Sequence, residues 1–98
     1  MKEENRIVIE VLDKTLIALA GNDNGYDDYK KQIEPKIDYD KLNVIVFPDS
    51  IRKISISYVQ GMFKEILKKI DKNDFEQYFQ IKASTPRLVE KVMNNIKF

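Results

Sequence analysis

Two serines, Ser55 and Ser57, stand where this sequence comes nearest to a chemical motif. Ser57-Tyr58-Val59-Gln60 has the spacing of a helix capping box. In that motif the serine hydroxyl accepts from the third helical amide and the glutamine reaches back to the cap. The same hydroxyl is a phosphoacceptor candidate, because a phosphate there meets the positive end of the helix dipole and free backbone amides. A cap alone, contributing about 1 kcal/mol, accounts for the serine without any modification. Just upstream, Asp49, Ser50, Arg52 and Lys53 form a polar loop. If the apolar run before it is a parallel strand, the loop lies at that strand's carboxyl end, where open α/β sheets gather binding sites. A solvated connection fits the same residues. Asp49, Ser50, Arg52, Lys53, Ser55, Ser57 and Tyr58 are therefore the candidate partner-binding set. Two basic residues suit an acidic protein surface but are too few to predict DNA binding.

Other constellations carry less. Asn22, Asp23, Asp27 and Asp28 lack EF-hand spacing and a bidentate glutamate at the twelfth position, so a turn with helix capping is expected. Tyr26, Tyr29 and Tyr39, near Lys30, Lys31 and Lys36, have too little basic interleaving to stack bases and are expected to pack at the domain rim. Gly21 and Gly25 do not make a phosphate loop. The chain contains neither histidine nor cysteine. Disulfides, thiolate zinc sites, cysteine nucleophiles and a Ser-His-Asp triad are thereby excluded, and an enzyme would be confined to carboxylates, lysine and tyrosine. No enzyme activity, cofactor or metal is expected.

Seventeen basic side chains face sixteen acidic ones, a net charge of +1, which gives no global field to draw nucleic acid or an anionic membrane. No segment approaches the roughly 18 apolar residues of a membrane span. The start, Met1-Lys2-Glu3-Glu4-Asn5, is charged with no apolar stretch behind it, so no signal peptide and a cytoplasmic location are expected.

The elements that would position these groups follow from periodicity. At 98 residues the expectation is one domain, residues 1–98, with a single core. Arg6 to Leu12 and Thr15 to Ala20 read as two strands joined at Asp13-Lys14 in a hairpin. Asp23 or Asn24 would cap a helix from Tyr26 to about Glu34, stopped by Pro35. Val44 to Phe47 is an unbroken apolar run suited to a central strand covered on both faces. Val59, Met62, Phe63, Ile66, Leu67 and Ile70 then trace a helical stripe. Asp71 or Asn73 would cap a short turn through Phe75, Tyr78 and Phe79. Gln80 to Ala83 reads as the last strand, and Thr85-Pro86 as a strong helix start. The predicted fold class is α/β, with a small mixed four-stranded sheet and the order β-β-α-β-α-β-α.

This order resembles a STAS-like domain. It is most similar to the short STAS-like family of unknown function and more remotely to the anti-sigma-factor antagonists. The resemblance rests on Val44-Ile45-Val46-Phe47, the loop Pro48 to Lys53, then Ile54-Ser55-Ile56-Ser57-Tyr58 opening the helix to Ile70. It covers the chain from about Leu42 onward. It implies a protein-interaction module, with the antagonists' phosphorylated serine falling on Ser57 and a kinase-like ATPase as one class of partner. The antagonist pattern Asp-Ser-Ser-Gly is Ser55-Ile56-Ser57-Tyr58 here, and the acidic residue that often ends the strand in the short family is Phe47.

The expected function is therefore non-enzymatic, regulatory binding of a protein partner through residues 49–58, with phosphorylation of Ser57 as its switch. The alternative is a constitutive homodimer or accessory subunit. That reading follows if the helices all cover one sheet face and leave the other open. Nucleotide binding is a third, weaker reading.

Overall fold

The apolar middle run does form a central strand, but of a smaller sheet than its neighbours predict. In a computed structural model that describes residues 2–97, strands β1 (Glu4–Val8), β3 (Leu42–Val46) and β5 (Phe79–Lys82) form a three-stranded parallel sheet in the order β1-β3-β5. A second parallel pair joins β2 (Ala18–Leu19) to β4 (Lys53–Ile54). The helical segments are α1 (Asn22–Asp28), α2 (Ile56–Phe63), α3 (Ile66–Lys69), α4 (Phe75–Tyr78) and α5 (Pro86–Lys97).

The mixed four-stranded sheet is corrected to this three-plus-two arrangement, and the hairpin is absent. A two-residue hairpin of type I′ needs positive φ at both turn positions. Among the described residues only Gly21 has positive φ, so Asp13-Lys14 cannot supply that turn. Asp13 instead folds the chain locally: its carboxylate accepts from the Thr15 amide (2.9 Å) and hydroxyl (2.6 Å), which hold its pKa below the ordinary value. β1 thus pairs with β3, and the strap from Glu10 to Ile17 leaves the sheet.

Alternation in the strands defines two faces. Ile7, Ile45, Phe79 and Ile81 are buried in the core with Ile9 and Phe47. On the other face Arg6, Val44 and Gln80 share one register row, and Val8, Val46 and Lys82 the next. Val44 is buried between exposed neighbours, and Val8 is 45% exposed.

α1 begins at Asn22, directly after Gly21 (φ 93°), so the stretch from Asn22 to Gly25 is helical against its composition, and Asp23 and Asn24 lie inside the helix and do not cap it. Tertiary packing overrides propensity. α1 lies so close on α2 that a Cβ on Gly25 would fall 2.0 Å from the Tyr58 carbonyl oxygen, and one on Gly61 2.0 Å from that of Asn22. Beyond α1 the chain continues as a π turn (Tyr29–Ile33) and a 3-10 turn (Glu34–Lys36) holding Pro35.

The long amphipathic helix is interrupted between α2 and α3, at Lys64 and Glu65. Both residues keep right-handed helical angles, so the break lies in the hydrogen bonding and not in the path. The stripe from Val59 through Met62, Phe63 and Ile66 stays buried across it. Asp71 caps the following turn through the Asn73 amide (2.8 Å), and Thr85 caps α5 through the Leu88 amide (3.1 Å).

Among the described residues one polar side chain, that of Asn43, is buried with the core. Asn43 Oδ1 accepts from Asn5 Nδ2 (2.7 Å) and the Asp38 amide (3.0 Å). Its Nδ2 donates to the carbonyls of Asp38 (3.0 Å), Tyr78 (3.1 Å) and, more weakly, Lys41 (3.3 Å). This clasp ties β1, the loop before β3 and the end of α4 together.

Candidate functional site

The joint between β3 and α2 lies at the carboxyl end of the central strand. It is fixed by its inward residues and presents the rest. Ile51 and Ile54 are buried; Ser84 Oγ donates to the Ile51 carbonyl (2.8 Å), and the Phe47 amide donates to Lys82 (2.9 Å). Between these anchors Asp49, Ser50, Arg52 and Lys53 are exposed, as are Ile56 and Ser57 in the first turn of α2. Five of the seven candidate partner-binding residues are therefore exposed: Asp49, Ser50, Arg52, Lys53 and Ser57.

The other two are placed differently. Ser55, half-buried, is the N-cap of α2: its hydroxyl accepts from the Tyr58 amide at 3.1 Å. Ser57 sits inside the first turn, its Oγ 3.1 Å from that of Ser55, so the cap lies two residues before the one expected and is a simple N-cap in place of the capping box from Ser57 to Gln60. The extended backbone of Ser55 (φ −72°, ψ 157°) is what lets its side chain turn back. Ser55→Ala is expected to lower stability by about 1 kcal/mol and Ser57→Ala by less than about half that, measured by urea unfolding. Equal costs would contradict the assignment of the cap. Tyr58, only 1% exposed, is withdrawn from the surface.

The structure adds apolar residues that periodicity hid. Ile17 is 58% exposed and Ile56 55%. The Ile17 carbonyl accepts from the amides of Arg52 (2.7 Å) and Lys53 (3.2 Å), and the Ser55 amide donates to Leu19 (2.9 Å), which sets both isoleucines against the joint. In sequence, Ile17 read as the interior of a strand and Ile56 as part of a helix start; only the loss of the hairpin leaves Ile17 uncovered.

Behind the joint a cleft of about 780 Å³ opens between the strap and the α1 segment, floored by Tyr58. The Tyr58 hydroxyl donates to Asp28 Oδ2 at 2.5 Å, and Gln32 Nε2 donates to Asp28 Oδ1 (3.2 Å). Gln32 also holds the backbone of Glu10 at both its amide (2.7 Å) and carbonyl (3.1 Å). Burial, and then the bond to Asp28, push the Tyr58 phenol well above its ordinary pKa. Tyr29, whose buried hydroxyl has no partner among the described residues, is pushed up to about 12 by burial and the charge of Glu34.

Both phenols bind their proton more tightly folded than unfolded. The stability this represents is intact below the unfolded value of about 10 and is lost as pH rises through the folded values. Cooperative alkaline unfolding should thus accompany phenolate formation as pH climbs from about 10 toward about 12, followed by absorbance and circular dichroism together. Full titration near pH 10 with the fold intact would contradict it.

Among the described residues no group of three or more acidic side chains is placed to hold a metal ion, and no helix is long and apolar enough to cross a membrane. No family model, curated protein or solved structure matches this chain.

Proposed function

We propose that this domain acts by binding a protein partner, without catalysis, through the exposed joint of β4 and α2 together with Ile17. The observation that carries this is the pair of large aliphatic side chains, Ile17 and Ile56, left more than half exposed beside Arg52 and Lys53. Burying two such side chains at the centre of an interface supplies anchor energy, while a basic rim steers an acidic partner surface. The resemblance of Val44–Phe47 and Ile54–Tyr58 to STAS-like domains points the same way. It adds a kinase-like ATPase as a partner class and Ser57 as the switch. A phosphate on exposed Ser57 would add a double negative charge in the first turn of α2, changing the charge of the proposed surface.

The test is affinity purification with the intact chain as bait, followed by a direct titration of the purified partner. Ile56→Asp is expected to weaken binding by about tenfold or more, and Lys53→Glu to slow association with strong salt dependence. Unchanged affinity in both variants removes the joint from the interface.

A second reading has its own observation. The sheet face bearing Val8, Val44 and Val46 carries no helix among the described residues that packs on β1 from that side, and Val8 stands 45% exposed there. A homodimer through this face predicts a concentration-dependent dimer in sedimentation that Val8→Asp abolishes. A monomer throughout would dismiss it.

A further inference from the structure

We propose that the cleft beside Tyr58 is a second site, which takes an extended basic peptide segment laid along the strap. Three observations converge on that occupant.

The strap offers backbone. After the Ile9 amide donates to Val46 (2.8 Å), the amides and carbonyls of Val11 and Leu12 have no hydrogen-bond partner among the described residues. Unpaired groups beyond a strand end are what an added strand pairs with. The cleft offers charge. Glu10, Asp13, Asp27 and Asp28 line it against Lys31 and Lys36, four carboxylates to two ammonium groups, and none of the six forms an ion pair among the described residues. The rim offers apolar contact, since Leu12 is 95% exposed and Leu16 39%. A small organic amine would satisfy the carboxylates but leave Leu12 in water. An extended chain covers it, because alternate side chains point to opposite sides: lysine or arginine into the cleft, the peptide backbone on the strap. The Tyr58–Asp28–Gln32–Glu10 chain of hydrogen bonds fixes the cleft's two walls relative to each other, so little ordering is needed on binding.

The probe is a synthetic peptide of alternating lysine and valine, roughly nine residues long to match a strand, titrated into the isotopically labelled chain and followed by amide chemical shifts. Saturable shifts are expected at Val11, Leu12, Asp27 and Lys31, with Lys53 and Ile56 unmoved, which separates this site from the joint. The double variant Glu10→Gln/Asp27→Asn alters side chains that make no hydrogen bond among the described residues and should weaken binding roughly tenfold, about 1.4 kcal/mol. Absence of shifts overturns the proposal, as does equal affinity for the double variant or for a peptide with glutamate replacing lysine. If 1,5-diaminopentane gives the same shifts at the same affinity, the cleft is a small-cation site and the peptide assignment falls.

Discussion

Gly61→Ala is expected to destabilise the domain by about 3 kcal/mol, although alanine is the better helix former by nearly 1 kcal/mol in an exposed helix. The added methyl would sit 2.0 Å from the Asn22 carbonyl oxygen and 2.8 Å from its carbon, so α1 has to move away from α2. Neither atom belongs to a flexible side chain that can swing aside. Gly25→Ala meets the Tyr58 carbonyl at the same 2.0 Å, and 2.9 Å from the Met62 amide nitrogen, and should cost as much. The double variant should cost less than the sum, because one separation of the helices relieves both clashes. Urea unfolding measures all three. A stabilised or neutral Gly61→Ala would mean that α1 does not pack on α2 as described.

Asn43→Leu, which keeps the number of side-chain heavy atoms but adds bulk at a buried site, should cost about 3 kcal/mol, chiefly through the polar groups it leaves unpaired. Leucine would strand the Asp38 amide and Asn5 Nδ2 without their acceptor, and the carbonyls of Asp38 and Tyr78 without their donor. Asn5 retains one bond, to the Lys36 carbonyl (2.6 Å), so the damage should centre on the loop before β3 and the end of α4. Hydrogen exchange should accordingly rise first at Asp38 and around Tyr78. A loss below about 1 kcal/mol, within the range of an ordinary solvent-exposed hydrogen bond, would contradict the buried clasp.

Where the sequence could be read, one kind of information was enough. The stripe Val59, Met62, Phe63, Ile66 and the Thr85-Pro86 start depend only on helical periodicity and local capping, and both are present. β3 followed from an apolar run, Val44 to Phe47, ended by Pro48, and the strand read at Gln80 to Ala83 is found one residue earlier, as β5. Misreadings arose where partners distant in sequence decide. The β-branched residues from Arg6 to Ala20 suggested a hairpin, but the backbone twist a tight turn needs is unavailable at Asp13-Lys14, and parallel pairing with β3 wins. The helix expected from Tyr26 begins instead at Asn22, because its first turn is made by contact with α2, which no local window contains. The shift of the cap from Ser57 to Ser55 is a choice between two serines that both fit the start of the stripe. Of the candidate site residues, Asp49, Ser50, Arg52, Lys53 and Ser57 are exposed as their polar types suggest, whereas Ser55 serves as the cap and Tyr58 is buried. The exposure of Ile17 and Ile56 was not legible, because exposure of an isoleucine is settled by what fails to cover it.

The most direct test of the account is a map of where the partner touches. With the isotopically labelled chain titrated by its purified partner, amide signals of Ile17, Arg52, Lys53, Ile56 and Ser57 are predicted to shift or broaden together, while Arg6, Val8 and Lys82 on the open sheet face stay put. Perturbation confined to Arg6, Val8, Val46 and Lys82, with the joint silent, would contradict it.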